Sequence, residues 1–470
     1  MKKRQRAATG AGSELFWPTR IRPEGSRSKQ TLAMRQVENR LFELADRWAA
    51  PLGLDRRGFL RSSCGMAAAF LAMNAVFGPL FDVTAAEAAD PEAAAERVKS
   101  LRDQLIIDIQ THFVYPDYPS RGILGLRELA KRWNPQLQGE QTLEKIHFEN
   151  FYSEVFLNSD TALAVLSSAP ADDPGRYFLH NEDLIAARER VREKAGSQRL
   201  NVHALFTPGR PGWMDDLERA IAMQPDAWKG YTVGMPSGES RWPWRLDDED
   251  LVYPAYEKMV KAGITTVCIH KGLLPSNYKQ RMASTWQHGN VDDVPKAAKD
   301  WPQLRFLIYH SAIRSIGLPT AEQLRIFEEK GEIPWVSDLA RIPDQYGVDN
   351  VYAELGSVFA VTAVSAPRYC AGILGTLFKG MGEERVLWGT DSVWYGSPQW
   401  QIEALRRLEM PEDLQEKFGF PPLGPADGRL KNRIFSANAR QVYSFDTSGL
   451  GTDRLARVKI KAQGTSARAD

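Results

Sequence analysis

Short apolar runs alternate with amphipathic stretches along the chain from about residue 100 onward. Within the runs Val, Ile and Leu follow one another with few polar breaks, as in TTVCIH and RFLIYH, which is typical of strands that are covered on both faces. The stretches between them repeat apolar residues at helical spacing. The pattern predicts strands over 105–110, 162–167, 200–206, 229–234, 264–270, 304–310, 350–355 and 385–390, and its clearest helices over 215–223, 251–262, 321–330 and 398–410.

Eight strands that alternate with helices are the pattern of an α/β fold of the (β/α)8 type, a TIM barrel. A doubly wound open sheet would alternate in the same way, but no G-x-G-x-x-G loop follows a predicted strand, which disfavours its dinucleotide-binding form. The barrel is predicted over residues 101–447, with loops or insertions over its mouth at 236–249 and 411–430. The tail at 448–470 is rich in Gly, Ser, Lys and Arg and is predicted to be disordered.

The first 90 residues have the order of parts found in an export signal. A long polar lead precedes the RRGFL motif at 56–60, which resembles the twin-arginine signature. A moderately apolar stretch follows at 64–81, and Ala86 and Ala88 form an Ala-x-Ala-like cleavage site. Residues 1–90 are therefore predicted to be a twin-arginine signal peptide, which implies the translocase as a partner and a periplasmic or extracellular destination. The alternatives are a helical extension with an incidental RRGFL, or an uncleaved anchor.

The composition adds few constraints. The 470 residues are 43% hydrophobic and 25% charged, with a net charge of +1, so nothing indicates nucleic acid or an anionic membrane as a partner. Three cysteines cannot form a disulfide framework, and Cys268 lies inside an apolar run as a predicted core residue. We expect a small-molecule substrate and no membrane span after cleavage, and a homodimer stays open.

Polar side chains that suit a metal follow several of the predicted strands. The stretch LIIDIQTHF places Gln110 and His112 at alternate positions of strand one, so both side chains should point the same way. Strand five ends at His270, strand six at His310, and strand eight leads to Asp391. Catalytic groups of a barrel lie where its strands end, and imidazole and carboxylate suit zinc, manganese or iron. Each residue alone is also explained as a hydrogen-bonded core residue, or for Asp391 as a helix cap.

Gln110 is the doubtful member of this set. An amide oxygen is a weaker ligand for a transition metal than imidazole or carboxylate. Gln110 could be a weak ligand or a water anchor, the site could prefer another metal, or metal and catalysis could both be lost. Arg241 and Trp242 lie in the loop after strand four, where they could contact an acidic or aromatic substrate. A surface loop packed by its own tryptophan explains them equally well.

Several motifs together resemble the amidohydrolase superfamily. The resemblance is to the amidohydrolase-related branch (amidohydrolase 2), which includes aminocarboxymuconate semialdehyde decarboxylase and the resorcylate-type decarboxylases. It extends from about residue 105 to 443 and rests on DIQTH, FTPG, WKG, IHKG, YHSA, LWGTDS and FSANARQVY. The combination of GTD after strand eight with the terminal N-A-R is the most specific part.

The resemblance implies one divalent metal, zinc first and manganese or iron as alternatives. It implies His112, His270 and Asp391 as ligands, with Gln110 where hydrolytic relatives have His and several decarboxylating relatives have Glu. His310 would act on the substrate or on water. Lys229 matches a strand-four Lys that is carboxylated in binuclear relatives, and a structural salt bridge is favoured for it here.

The resemblance implies an enzyme, and two reactions compete. The first is metal-dependent hydrolysis of a small organic substrate, in which Asp391 takes a proton from metal-bound water and His270 or His310 stabilises the developing charge. The alternative is a non-oxidative decarboxylase, a carboxy-lyase of a small aromatic or enol acid, which Gln110 favours because it mimics Glu in shape. A third hypothesis is an exported, non-catalytic binding protein on a degenerate barrel. Retention of the His and Asp set argues against it.

Overall fold

The computed structural model describes residues 32–131, 137, 139–236 and 238–447. Eight parallel strands form one sheet in chain order, each hydrogen-bonded to the next. All eight overlap the predicted strands. They are β1 (Ile107–Thr111), β2 (Leu163–Leu166), β3 (Leu200–Phe206), β4 (Ala227–Tyr231), β5 (Thr266–His270), β6 (Arg305–Tyr309), β7 (Val351–Glu354) and β8 (Val386–Leu387).

The sheet closes on itself between β1 and the segment after β8. Thr111 forms a parallel bridge with Ser392, and the N–H of Ile109 donates to the carbonyl of Trp388 at 3.0 Å. The β1 ladder to β2 shifts register between Asp108 and Thr111, next to Gln110. Closure of eight parallel strands with helices between them makes the fold a (β/α)8 barrel, so the predicted TIM barrel is confirmed.

The chain divides into two compact units, of which the first comprises the residues up to Asp103 and the segment Gly122–Gln141. In this unit the third helix packs against the first, fourth and fifth. It buries small side chains such as Ala68 and Ala72, which let helices approach closely. The helices of its described part are α1 (Leu32–Trp48), α2 (Arg56–Leu60), α3 (Ser63–Phe77), α4 (Ala85–Ala89), α5 (Pro91–Ser100) and α6 (Leu124–Ala130).

The predicted export signal falls largely in this unit. The RRGFL motif forms α2, the apolar stretch overlaps α3, and the predicted cleavage site lies in α4. Residues 1–31 lie outside the described residues. No helix in the described ranges is both long enough and apolar enough to span a membrane. The signal peptide at 1–90 and export stay predictions.

The second unit comprises Gln104–Arg121 and Thr142–Asp470 and contains all eight strands. Its helices are α7 (Phe148–Tyr152), α8 (Asn181–Ala195), α9 (Trp213–Ala222), α10 (Tyr253–Lys261), α11 (Tyr278–Arg281), α12 (Val294–Asp300), α13 (Ala321–Lys330), α14 (Val336–Tyr346), α15 (Gly356–Ser365), α16 (Pro367–Met381), α17 (Gln399–Arg407), α18 (Glu412–Phe418), α19 (Arg429–Asn432) and α20 (Ala439–Val442). Shorter 3-10 and π turns across the chain lie at Ala50–Leu52, Arg121–Ile123, Leu143–Ile146, Ser153–Leu157, Pro174–Arg176, Trp286–Gly289, His310–Ala312 and Arg433–Ala437.

The four predicted helices correspond to α9, α10, α13 and α17. The predicted loop or insertion at 411–430 contains the helix α18, which follows Pro411 and is capped by Gly419 in the left-handed conformation. The predicted loop at 236–249 contains neither helix nor strand in its described part. The tail at 448–470 lies outside the described residues, so its predicted disorder stays a prediction.

Apolar side chains from several strands fill the lower part of the barrel. Ile107, Leu163, Leu307 and Cys268 belong to one buried cluster that Tyr443 also joins. Cys268 is fully buried, as predicted for a core residue. This packed floor supports the polar side chains at the C-terminal ends of the strands.

Candidate active site

The C-terminal end of β1 brings two predicted site residues together. Gln110 and His112 are both buried, and their Nε2 atoms lie 3.5 Å apart. Thr111, between them, donates its hydroxyl to the carbonyl of Val165 at 2.9 Å and so faces the neighbouring strand. The two residues therefore point the same way, toward the space where the other strands end.

His112 is held in one orientation by the backbone beside it. Its Nδ1 lies 2.8 Å from the carbonyl oxygen of Ser167, and since a carbonyl only accepts, Nδ1 carries the proton. In a neutral ring Nε2 then presents its lone pair to Oδ1 of Asp391, 3.0 Å away. Two acceptor atoms at this distance need a proton or a cation between them. A histidine whose far nitrogen donates to a carbonyl is the usual arrangement of a metal ligand.

Asp391 is an ionised carboxylate with a polar neighbour at each oxygen. Oδ1 faces His112, and Oδ2 accepts a hydrogen bond from the hydroxyl of Ser357. The Ser357 Oγ lies 2.8 Å from the hydroxyl oxygen of Tyr395. Burial would raise the pKa of the Asp391 carboxyl, but the proximity of the His112 and His310 rings and the bond from Ser357 hold that pKa well below its usual range.

The histidines of β5 and β6 meet above the barrel floor. The ring centroids of His270 and His310 lie 4.7 Å apart, and Nε2 of His310 lies 3.4 Å from Nε2 of Gln110. Neither ring nitrogen of His270, nor Nδ1 of His310, has a hydrogen-bond partner in the described part of the chain. Burial lowers the pKa of both rings, that of His310 to about 3, so both are neutral at pH 7.

Aromatic rings form the walls around these groups. Trp394 stacks on His112 with ring centroids 5.4 Å apart and planes 17° apart, and Phe178 meets both rings edge-on. Tyr231 stacks on His270 with a centroid distance of 4.5 Å. Flat aromatic walls of this kind suit a planar, largely apolar substrate body.

Lys229 does not form the salt bridge expected for it within the described residues. Its buried ammonium lies 3.3 Å from the ring centroid of Tyr309, a cation–π contact, and has no hydrogen-bond partner among them. Burial lowers the pKa of Lys229 to about 8, although Cys268, Glu354 and Asp391 oppose that shift. Lys229 forms no salt bridge there because β4 directs its side chain onto the ring of Tyr309 in β6.

Two residues of the site were not among the sequence candidates. Glu354 ends β7 and is fully buried, so the rule that polar groups at strand ends form the site would have found it. Ser357, in α15, has no comparable signal. Its contact with Asp391 exists only because the start of α15 meets the segment after β8 in the folded chain.

Arg241 and Trp242 lie at a different place. They line a cleft of about 540 Å³ together with Asp172, Tyr177 and Arg210, and the Arg241 N–H donates to Asp172 at 3.0 Å. The lining of that cleft includes neither Asp391 nor any of the three site histidines. The structure does not bring Arg241 and Trp242 to the site, and their contact with substrate stays a prediction.

The residues fit a divalent metal in their chemistry. Nε2 of His112 and Oδ1 of Asp391 face one another as a cation would require. The nitrogens of His270 and Oε1 of Gln110 are buried without partners in the described residues, a costly state that a bound ion or water would relieve. As the side chains stand, no three His, Cys, Asp or Glu groups in the described ranges lie close enough together to hold an ion.

Comparison with solved structures finds matches at low identity and low TM-score. LigW, the 5-carboxyvanillate decarboxylase of Sphingomonas paucimobilis, is 14% identical with a TM-score of 0.41, over 73% of this chain and 99% of that one. The 2,6-dihydroxybenzoate decarboxylase of Rhizobium is 15% identical with a TM-score of 0.38, over 72% and 98%. A protein of Acinetobacter baumannii described as a probable 2-pyrone-4,6-dicarboxylic acid hydrolase is 11% identical with a TM-score of 0.41, over 72% and 99%. At these values none of the three bears on the reaction or substrate of this chain.

Comparison of sequences gives a more direct result. No curated protein matches the sequence. A family model described as Amidohydrolase (Amidohydro_2) matches residues 185–445, more than half of the 470-residue chain. The match covers the strands that carry His270, His310 and Asp391. The chain therefore belongs to this amidohydrolase family.

Proposed function

We propose that the chain is a metal-dependent decarboxylase, a carboxy-lyase that removes the carboxyl group of a small aromatic or enol acid. The observation that carries the choice is the setting of Asp391, whose Oδ2 accepts a hydrogen bond from Ser357 while its Oδ1 faces Nε2 of His112. A general base must be free to accept a proton and needs a pKa near the working pH. Asp391 is poorly suited to this role, because Ser357 occupies Oδ2 and the pKa of the carboxyl lies well below its usual range. Decarboxylation begins with cleavage of a carbon–carbon bond and requires no base for water.

A divalent metal would be held by His112, Asp391 and His270, with zinc first and manganese or iron as alternatives. When bound, it supplies a positive charge beside the carboxylate of the substrate. Gln110 would stand next to it as a weak ligand or an anchor for water. The unpaired nitrogens of His270 and the unpaired Oε1 of Gln110 support this assignment.

The residues of the chain would then divide the remaining work. Trp394, Phe178 and Tyr231 hold the planar body of the substrate and exclude water from it. The electron pair of the broken bond stays on the substrate carbon, and carbon dioxide leaves. A proton from solvent reaches that carbon through the imidazole of His310, which gives up its N–H proton as its other nitrogen takes one from solvent. The reaction consumes one proton for each carbon dioxide released.

Hydrolysis is the second candidate, and it too has an observation in its favour. The His112–Asp391 pair resembles the carboxylate and imidazole that flank an activated water in hydrolytic sites. In that case Asp391 would have to accept the proton of water in spite of its low basicity. Export through the twin-arginine translocase, proposed from the sequence, applies to either reaction.

The test measures both reactions on one protein preparation. Purified chain, supplied in turn with zinc, manganese and ferrous iron, is incubated with a panel of hydroxylated aromatic and enol acids, and carbon dioxide release is followed. A matched panel of lactones, esters and amides is followed by acid release. We expect carbon dioxide from at least one acid, and its loss in Asp391→Asn but not in Asp215→Asn, an exposed carboxylate on α9. Turnover confined to the second panel would overturn the decarboxylase proposal in favour of hydrolysis.

A further inference from the structure

The last residue of β7 is a fully buried carboxyl group to which the proposed mechanism gives no part. Glu354 Oε2 accepts a hydrogen bond from the backbone N–H of His310 at 2.9 Å. The hydroxyl of Ser311 donates to the backbone carbonyl of Glu354, also at 2.9 Å. Two consecutive residues after β6 are thus tied to one residue of β7. Oε1 of Glu354 has no hydrogen-bond partner in the described part of the chain.

The turn that carries His310 has a conformation that its residues disfavour. His310, Ser311 and Ala312 have φ values of 58°, 48° and 54°. Three consecutive non-glycine residues in the left-handed region are rare, because the Cβ of each lies close to backbone atoms. Such a conformation persists only where surrounding groups hold it. Here the two hydrogen bonds to Glu354 act on the first two of the three residues.

The space around the carboxyl of Glu354 is kept free by two glycines. A Cβ at Gly356 would lie 2.8 Å from Oε1 and 2.9 Å from Oε2 of Glu354. A Cβ at Gly389 would lie 2.9 Å from the carboxyl carbon, with Oε1 nearer still, and 3.1 Å from Cβ of Gln110. The carboxyl group therefore occupies a slot that no side chain at either position could share, directly beside Gln110.

We propose that Glu354 is a positioning residue, which fixes the left-handed turn at His310–Ala312 and thereby aims the His310 imidazole at Gln110 and His270. The turn places the His310 ring. Its Nε2 lies 3.4 Å from Nε2 of Gln110, and the ring centroids of His310 and His270 lie 4.7 Å apart. The expected loss of turnover rests on the proposed function, in which His310 passes the proton to the substrate. The expected movement of the His310 ring follows from the structure alone.

The test compares two replacements of Glu354. Glu354→Gln keeps an oxygen that can accept the His310 N–H, and Glu354→Met has a similar length without such an acceptor. The protein is labelled with ¹⁵N-histidine, and the ring signals of His310 are identified by their absence in His310→Gln. Asn350→Leu is the matched control, because Asn350 lies just before the N-terminal end of β7, the opposite end from Glu354. Its side-chain amide donates to the carbonyls of Ala298, Trp301 and Leu304.

We expect Glu354→Gln to keep the His310 ring signals at their wild-type positions and Glu354→Met to shift them. In an active preparation kcat should fall about tenfold or more in Glu354→Met with little change in KM, as misplacement of a reacting group does. Asn350→Leu should lower stability and leave the His310 signals in place. If Glu354→Met does not fold, Gly389→Ala displaces the same carboxyl and should shift the same signals.

Unchanged His310 signals in a folded Glu354→Met or Gly389→Ala protein would overturn the positioning role, whatever the loss of stability. So would signals that shift equally in Asn350→Leu, since that result would make the effect a general one of the barrel. Because the ring signals are read without substrate, a chain that releases no carbon dioxide still decides the role of Glu354.

Discussion

Replacement of Gly389 by Ala tests the packing beneath the site most sharply. The new Cβ would overlap the Glu354 carboxyl, whose carbon lies 2.9 Å from its position, while Cβ of Gln110 at 3.1 Å blocks the other side. Overpacking of a buried site costs about 1–3 kcal/mol. Displacement of the carboxyl also breaks its bond to the His310 N–H, which leaves a buried donor unpaired and costs about 1–3 kcal/mol more. We therefore expect the free energy of unfolding to fall by about 2–6 kcal/mol.

The assay is urea unfolding followed by circular dichroism, with a double-mutant cycle. In a Glu354→Ala background the clashing carboxyl is absent, so Gly389→Ala should cost less than about 1 kcal/mol there, and the two changes should be strongly coupled. Gly175→Ala is the control, because its Cβ would meet only Asp173, at 3.4 Å or more, on an exposed turn. Its effect should stay within about 0.5 kcal/mol. If Gly389→Ala lowered the free energy of unfolding equally in both backgrounds, the Glu354 carboxyl would not be what the new Cβ displaces.

Two further predictions concern buried lysines. The folded chain releases the Lys229 proton near pH 8, whereas the unfolded chain keeps it to its ordinary value of 10.5, so the unfolded state binds more protons in between. Below pH 8, Lys229→Met should therefore have a free energy of unfolding about 3 kcal/mol higher than wild type, because each pKa unit corresponds to about 1.4 kcal/mol. This difference should disappear between pH 8 and 10.5. If the free energies of urea unfolding of Lys229→Met and wild type differed by the same amount from pH 7 to 10.5, this prediction would be wrong. Lys271 lies 2.7 and 2.8 Å from the two oxygens of Asp293, both side chains being buried. Asp293→Asn should lower the free energy of unfolding by about 3–5 kcal/mol, because it leaves the Lys271 ammonium without its counter-charge, and recovery in Lys271→Met/Asp293→Asn would identify that charge as the cause.

The strands could be predicted from the sequence because each is a nearly continuous apolar run between polar breaks. β3 and α13 have the predicted bounds, and the other strands differ by a few residues at their ends. β4 was predicted to extend to residue 234, but the chain turns where the N–H of Gly234 donates to the carbonyl of Tyr231. The alternation of buried runs does not encode where such a turn begins.

The candidate ligands could be predicted for the same reason, since His112, His270 and Asp391 each follow an apolar run. What surrounds them could not. The hydrogen bond from Ser357 to Asp391 and the stack of Trp394 on His112 join residues that are far apart in sequence. Such contacts depend on closure of the barrel, which no local pattern specifies. Glu354 was missed although its position at the end of β7 obeys the rule that identified the others.

The central claim is that His112, His270 and Asp391 hold a divalent metal. The most direct measurement is the metal content per chain, by mass spectrometry of protein supplied with zinc, manganese or ferrous iron and then dialysed, for wild type, His112→Ala, Asp391→Asn and the exposed control His180→Ala. We predict about one ion per chain in wild type and His180→Ala, and almost none in the other two, because each loses one of the two facing ligand atoms. A wild-type chain without metal, or equal metal in all four proteins, would contradict the claim.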